Sequence, residues 1–204
     1  GLTEACPARG IRDNTAPIKY IGLLFPNPYL PARRRRKQMP LVNLKPVLAE
    51  AKSKGYAVAA FNPVDYASMK AMVAAAEELN APVIIQSSAK TIKYYGHRAL
   101  VEWMREIAGD SPVPVVLHLD HGKDFEMIKK CVEMGWTSVM IDASEHPFEK
   151  NLELSRRVVD LASAAGVGVE AEIGQIKGVE DDMVVAEHES HLTDPKEAEL
   201  FCRE

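Results

Sequence analysis

The chain is 204 residues long, 47% hydrophobic and 26% charged, with a formal net charge of −4, the composition of an ordinary globular protein of one or two domains. Collagen, coiled coil and wholesale disorder are excluded, and no stretch reaches the roughly 18 to 20 unbroken apolar residues of a helical membrane span. Three scattered cysteines, Cys6, Cys131 and Cys202, in no Cys-x-x-Cys spacing, give neither a disulfide framework nor a thiolate zinc site and point to a reducing, cytoplasmic setting.

The first segment, residues 1–38, is basic. It carries eight Lys and Arg against Glu4 and Asp13, a balance of +6, and leaves −10 for the remainder. It also holds five of the 13 prolines and shows neither a 3.6 nor a 2.0 period, so it has little apolar surface to bury against its ordering entropy. It is expected to be a disordered extension. The run Arg33 to Lys37 has the charge to attract phosphate or an import receptor. A solvated tail is the simpler reading, and no nucleic-acid or membrane partner is expected. Met39, directly after the run, reads as a natural start, with the barrel-type domain over 39–204. A secretory signal is disfavoured because the basic cluster follows the apolar stretch Tyr20 to Phe25.

From Pro40 onward the pattern is regular. Short β-rich runs at Ala57 to Phe61, Pro82 to Ile85, Val113 to Leu119, Ser138 to Ile141 and Val167 to Ile173 start about 25 to 30 residues apart, one βα unit each. Between them lie amphipathic stripes, Met69, Met72, Val73 and Ala76, then Ile128, Cys131 and Val132, then Leu154, Val158, Leu161 and Ala165, at helical spacing and expected in the core. Gly135 and Gly166 close two helices, and Thr193-Asp194-Pro195 opens the last with a cap residue followed by proline. Tyr94-Tyr95-Gly96 and His97 are expected in a loop near the site, held by aromatic packing.

Five successive βα units imply a parallel sheet covered by helices, either doubly wound or part of a (β/α)₈ barrel. No Gly-x-Gly-x-x-Gly follows a strand, so dinucleotide binding has no support. Polar residues gather instead at strand C-terminal ends: Asn62, Ser87 and Ser88, His118 with Asp120 and His121, Asp142 and Ser144, and Glu170 with Glu172. That is the plan of a barrel enzyme. The fold class is therefore α/β, an incomplete TIM barrel with about five βα units.

Strand alternation puts His118 and Asp120 on one face, with Leu117, Leu119 and His121 on the other, until Gly122 permits a turn that re-aims His121. A purely structural reading has Asp120 capping the next helix and His121 bonded to a carbonyl. Polar residues on four other strand ends favour an active site. Glu170 and Glu172 share a strand face, where a carboxylate binds metal or acts as a base. Asp181 and Asp182 read as a solvated acidic turn.

Taken together, Ala-Phe-Asn62, Pro-Val-Ile-Ile-Gln-Ser-Ser88, Leu-His-Leu-Asp120-His121-Gly, Met-Ile-Asp142-Ala-Ser with Pro-Phe-Glu-Lys-Asn, and Val-Glu-Ala-Glu172-Ile-Gly with Gly-Val-Glu180-Asp-Asp occur in that order. In this the segment from Met39 onward resembles the N-terminal part of the class II, zinc-dependent ketose-bisphosphate aldolases, the fructose- and tagatose-bisphosphate aldolase family. The resemblance implies that Asp120 is the acid/base acting on the C4 hydroxyl and that His121 is a zinc ligand. It places Asp142 and Glu172 at an alternative or second metal position and makes Glu180 a loop carboxylate serving the proton at the donor's reacting carbon. Asn62 and Ser88 then lie near the substrate and its phosphate. The implied cofactor is zinc, with a second divalent or a monovalent cation as a further expectation; the implied partners are a sugar bisphosphate and, for a complete chain, further copies of itself.

The family's barrel has eight strands, and two further histidine ligands come from its sixth and seventh, in motifs that do not occur before Glu204. A truncated, non-catalytic fragment acting only as a binding partner is the competing expectation. Glu187-His188-Glu189-Ser190-His191 is one residue short of the zincin spacing and is a poor substitute. His118 and His146 are expected to be hydrogen-bonded or solvated, not ligands.

Overall fold

The computed structural model describes residues 41–175, 178–180, 183–185 and 192–204, with side chains described up to residue 175 and again from 192. The expectations for the 1–38 extension, for Asp181 and Asp182, and for His188 and His191 fall outside these residues.

The first helix, α1 (Leu44–Lys54), starts where the Asn43 side chain accepts from the Lys45 amide and stops at Gly55 in the left-handed region. Five parallel strands follow, β1 (Ala59–Phe61), β2 (Val83–Ser88), β3 (Val115–Gly122), β4 (Ser138–Ile141) and β5 (Gly168–Ala171). They are connected through α2 (Tyr66–Glu78), α3 (Ala89–Tyr95) with α4 (His97–Ala108), α5 (Phe125–Met134) and α6 (Phe148–Ala164). A short antiparallel pair, β6 (Gly178–Glu180) and β7 (Met183–Val185), and a last helix α7 (Pro195–Arg203) complete the described elements. Asp194 caps α7 and Pro195 begins it, as the Thr-Asp-Pro signal predicts. Gly135 closes α5 in the left-handed region, and Gly166 takes the same conformation just past the end of α6.

Spatial order decides the architecture. The strands lie in sequence order, β1-β2-β3-β4-β5, all parallel. A doubly wound sheet reverses direction at a switch point, whereas consecutive order with helices always on one side is the progression of a barrel. The two faces confirm it. Val83 and Ile85, Val115, Leu117 and Leu119, and Val139 and Ile141 point outward into one cluster with Met69, Leu100, Met104, Ile128, Cys131 and Val158 of the surrounding helices. Inward-facing Ile84 and Val116 pack instead with Leu44 and Val47 of α1. Helix α1 thus plugs the N-terminal end of the inner face, and Val42 bonds the Val115 carbonyl there. Polar residues at the opposite, C-terminal strand ends are left to form a site.

Two expectations need correction. The pattern predicts a first strand over Ala57 to Phe61; the strand is shorter, Ala59–Phe61, and its three residues are exposed at an edge of this sheet. Tyr94 and Tyr95 are not in a loop: they end α3, and Gly96 makes the break before His97 opens α4. Aromatic packing does hold Tyr95, whose ring meets Trp103 at 5.1 Å while Trp103 meets Tyr66 at 5.8 Å, both edge-on; Tyr94 is exposed and lies edge-on to Tyr95. Among the described residues no helix is long and apolar enough to cross a membrane.

Candidate active site

The inner face carries the chemistry in register. Gln86 of β2 lies opposite His118 of β3, Ser88 opposite Asp120, and His118 opposite Ser138 of β4. Between Leu119 and Gly122 the β3–β4 pairing slips, and His121 takes a positive φ of 45°. A non-glycine residue is held there only when its surroundings over-determine it. This bulge turns the imidazole onto the same side as His118 and Asp120, so that all three line one cavity of about 470 Å³ with Gln86, Glu170 and Glu172. The turn was expected at Gly122; it is made by His121 itself. Gly122 answers a different need: a Cβ there would stand 2.5 Å from the Met140 carbonyl oxygen.

Asp120 does not cap the following helix, a task that falls to Asp124. Its Oδ2 accepts from Asn62 Nδ2 at 2.8 Å and from Gln86 Nε2 at 2.9 Å, and Gln86 also donates to Asn62 Oδ1 at 2.8 Å. Two neutral amides thereby hold one oxygen of a carboxylate and leave the other for chemistry. Asn62 sits one residue past β1, and the Tyr95 hydroxyl donates to the carbonyl of nearby Val64 at 2.7 Å. A side chain of the next βα unit thus steadies the loop beyond that edge strand. Gln86 carries no role in the sequence reading, although alternation from Ser88 already puts it on the inner face.

His121, Asp142 and Glu172 form a second group whose ligand atoms lie within 4.8 Å of one another. His121 Nδ1 is 3.1 Å from Asp142 Oδ2 and 3.7 Å from Glu172 Oε2. One nitrogen and two carboxylate oxygens suit zinc, whose bonds of about 2.0–2.2 Å put neighbouring tetrahedral ligands about 3.3–3.6 Å apart. The two separations from His121 straddle that spacing, so the residues present suit a divalent metal such as the zinc that the resemblance implies. Asp142 is buried. Burial by itself raises its pKa, but hydrogen bonds from His121 and from the hydroxyl and amide of Ser144 outweigh that and hold the carboxyl at about 2. It is an anion at neutral pH, as a metal ligand must be. His121 Nε2 also lies 4.0 Å from Asp120 Oδ1, which joins the two groups.

His118 is not part of the metal group. Its Nδ1 is 2.8 Å from Ser138 Oγ and its Nε2 3.4 Å from Glu170 Oε2. Burial brings its pKa down to about 4, against the pull of the Asp120 charge. Glu170 is raised, first by burial and then by Asp120. Because His118 is neutral when folded but has an ordinary pKa of 6.5 when unfolded, the unfolded state binds the extra proton in between. Its contribution to stability is therefore complete above pH 6.5 and falls as the pH drops toward 4, by at most about 3 kcal/mol. Urea melts across that range should show a shallower pH slope for His118→Gln than for the parent; an unchanged slope would refute the buried neutral imidazole.

The remaining expectations divide. Ser88 is buried beside Asp120 but does not line the cavity, its Oγ lying 3.5 Å from Thr91 Oγ1. Glu180 ends strand β6, and its side chain falls outside the described residues.

Carboxylate, amides and a His/Asp/Glu group gathered at the C-terminal ends of consecutive parallel strands define a barrel-type enzyme fold with a metal-competent centre. The sequence pattern described as fructose-bisphosphate aldolase class-II matches residues 42–204, and the chain belongs to that family. The fructose-bisphosphate aldolase of Helicobacter pylori is 47% identical over 165 residues, which cover 80% of this chain and 54% of that protein. The fructose-bisphosphate aldolase of Thermus caldophilus is 43% identical over 155 residues, 76% of this chain and 50% of that one. Among solved structures, the YdjI aldolase of Escherichia coli superimposes with a TM-score of 0.68 at 30% identity, over 80% of this chain and 57% of its own. The chain thus spans about half the length of the curated relatives it matches.

Proposed function

We propose that the protein catalyses the reversible, zinc-dependent aldol cleavage of a ketose 1,6-bisphosphate to dihydroxyacetone phosphate and glyceraldehyde 3-phosphate, a step of cytoplasmic carbohydrate metabolism. The observation that carries this reading is the Asp120 carboxylate, held through one oxygen by Asn62 and Gln86 and adjoining the His121, Asp142 and Glu172 donors.

Cleavage requires removal of the proton from the C4 hydroxyl and accommodation of negative charge on the departing three-carbon donor. Asp120 accepts that proton on Oδ1, because Oδ2 is engaged by two amide donors that also fix the carboxyl plane. In the condensation direction the same group returns it. His121, with Asp142 and Glu172 at the alternative or second metal position, would hold the zinc, which would supply a Lewis acid for the charge that develops on the donor's oxygens. Glu180 serves the proton at the donor's reacting carbon, and Asn62, bonded to Asp120, lies toward the substrate. A lysine imine is unnecessary in this scheme. The protein assembles as a homo-oligomer, in line with the family resemblance.

The test is metal removal. Chelator treatment should abolish cleavage of fructose 1,6-bisphosphate, zinc should restore it, and borohydride added with substrate should trap no covalent adduct. Activity that survives chelation together with borohydride trapping would replace this reading with an imine mechanism.

A further inference from the structure

Glu172 is the most precariously placed of the three metal donors. Strand β5 is an edge of this sheet, and its last paired residue is Ala171, opposite Ile141. Glu172 therefore lies beyond the ladder that fixes the preceding residues. A carboxylate that must meet His121 and Asp142 to within a fraction of an ångström needs its backbone held by something else.

The structure supplies that hold from a helix. Asn151, 2% exposed near the start of α6, donates from Nδ2 to the Glu172 carbonyl oxygen at 2.7 Å. Its Oδ1 accepts from the Ser155 hydroxyl one turn along at 3.2 Å. A carbonyl only accepts, and the serine hydroxyl is placed to donate, so the amide has one sensible orientation. Burying an amide is costly unless both ends are paired. Here both are, and what the pairing secures is the backbone of a metal donor.

We infer that Asn151 is a positioning residue for the metal centre: through the Glu172 carbonyl it sets where the Glu172 carboxylate stands, and Ser155 orients the Asn151 amide. The inference rests on the metal reading of His121, Asp142 and Glu172 given above. It assigns to α6, behind the sheet, a share in metal affinity that none of its residues would show by touching the metal. Groups that orient ligands in this way are worth about 10–100-fold in metal affinity.

The experiment is zinc binding by the protein, measured by competition with a chromophoric chelator, so that no catalytic turnover is needed. Asn151→Ala and Asn151→Asp should each weaken zinc binding by about 10–100-fold, the second because a carboxylate of nearly equal volume has no proton to give the carbonyl. Should the alanine variant fail to fold, the aspartate variant carries the same test. Ser155→Ala removes the hydroxyl that orients the Asn151 amide but leaves the bond to Glu172, and it should weaken zinc binding measurably less than either Asn151 variant. Parent-like zinc binding by Asn151→Asp would overturn the inference; so would an equal loss in Ser155→Ala, which would make the effect one of general packing. Glu172→Gln distinguishes the underlying reading, since unchanged zinc affinity in that variant would remove Glu172 from the metal group altogether.

Discussion

Asp120→Asn is expected to lower kcat for cleavage by about 10²–10⁴-fold, the range general acid–base catalysis contributes, while zinc stays bound at its parent stoichiometry. The separation follows from geometry. Asp120 meets Asn62 and Gln86 through Oδ2 and approaches the metal group only as near as 4.0 Å from His121 Nε2. An amide at this position keeps the shape and loses the capacity to take a proton at neutral pH. Steady-state cleavage assays paired with metal analysis decide the matter; turnover near the parent rate would strip Asp120 of its role, and loss of zinc would move it into the ligand set.

His121→Ala should fail in the opposite order, with metal lost first and activity in consequence. The imidazole nitrogen is the sole non-oxygen donor of the group and the one its two carboxylates both face, at 3.1 and 3.7 Å. Its removal also strips the buried Asp142 of a hydrogen-bond donor. Leaving a buried acceptor without its partner costs about 1–3 kcal/mol. The pKa of Asp142, held at about 2 in the parent, should rise. Since a depressed carboxyl stabilises the fold above its unfolded pKa of 3.8 and ceases to as the pH falls through about 2, the variant should lose stability at neutral pH and be less sensitive to acid. Metal analysis with thermal melts at neutral and acid pH would check both; stoichiometric zinc in the purified variant would contradict the ligand assignment.

The resemblance carried by Leu-His-Leu-Asp120-His121-Gly and Val-Glu-Ala-Glu172-Ile-Gly led to residues that the fold does bring together: Asp120 and Asn62 in one group, His121, Asp142 and Glu172 in another. These were legible because strand alternation and strand-end position constrain a side chain within a few residues of its own backbone. Gln86 was harder to find. Its part depends on Asn62 and Asp120 arriving from two other strands, and an amide has no charge or spacing to announce that. Asn151 lay inside a matching motif, yet its function depends on α6 packing behind the end of β5.

By itself the sequence determined the βα alternation, the helix caps at Gly135, Asp194 and Pro195, and the inner and outer faces of the strands, all of which follow from periods of 2 and 3.6 and from local hydrogen-bond needs. Tertiary structure decided the rest. It left β1 a short, exposed edge, paired only with β2 among the described strands. It placed Tyr94 and Tyr95 at a helix end, where Trp103 could receive the Tyr95 ring. Above all it turned His121 into the cavity through a left-handed backbone angle, a conformation uncommon for any residue but glycine, which accompanies the slipped β3–β4 pairing and the bond to the Asp142 carboxylate.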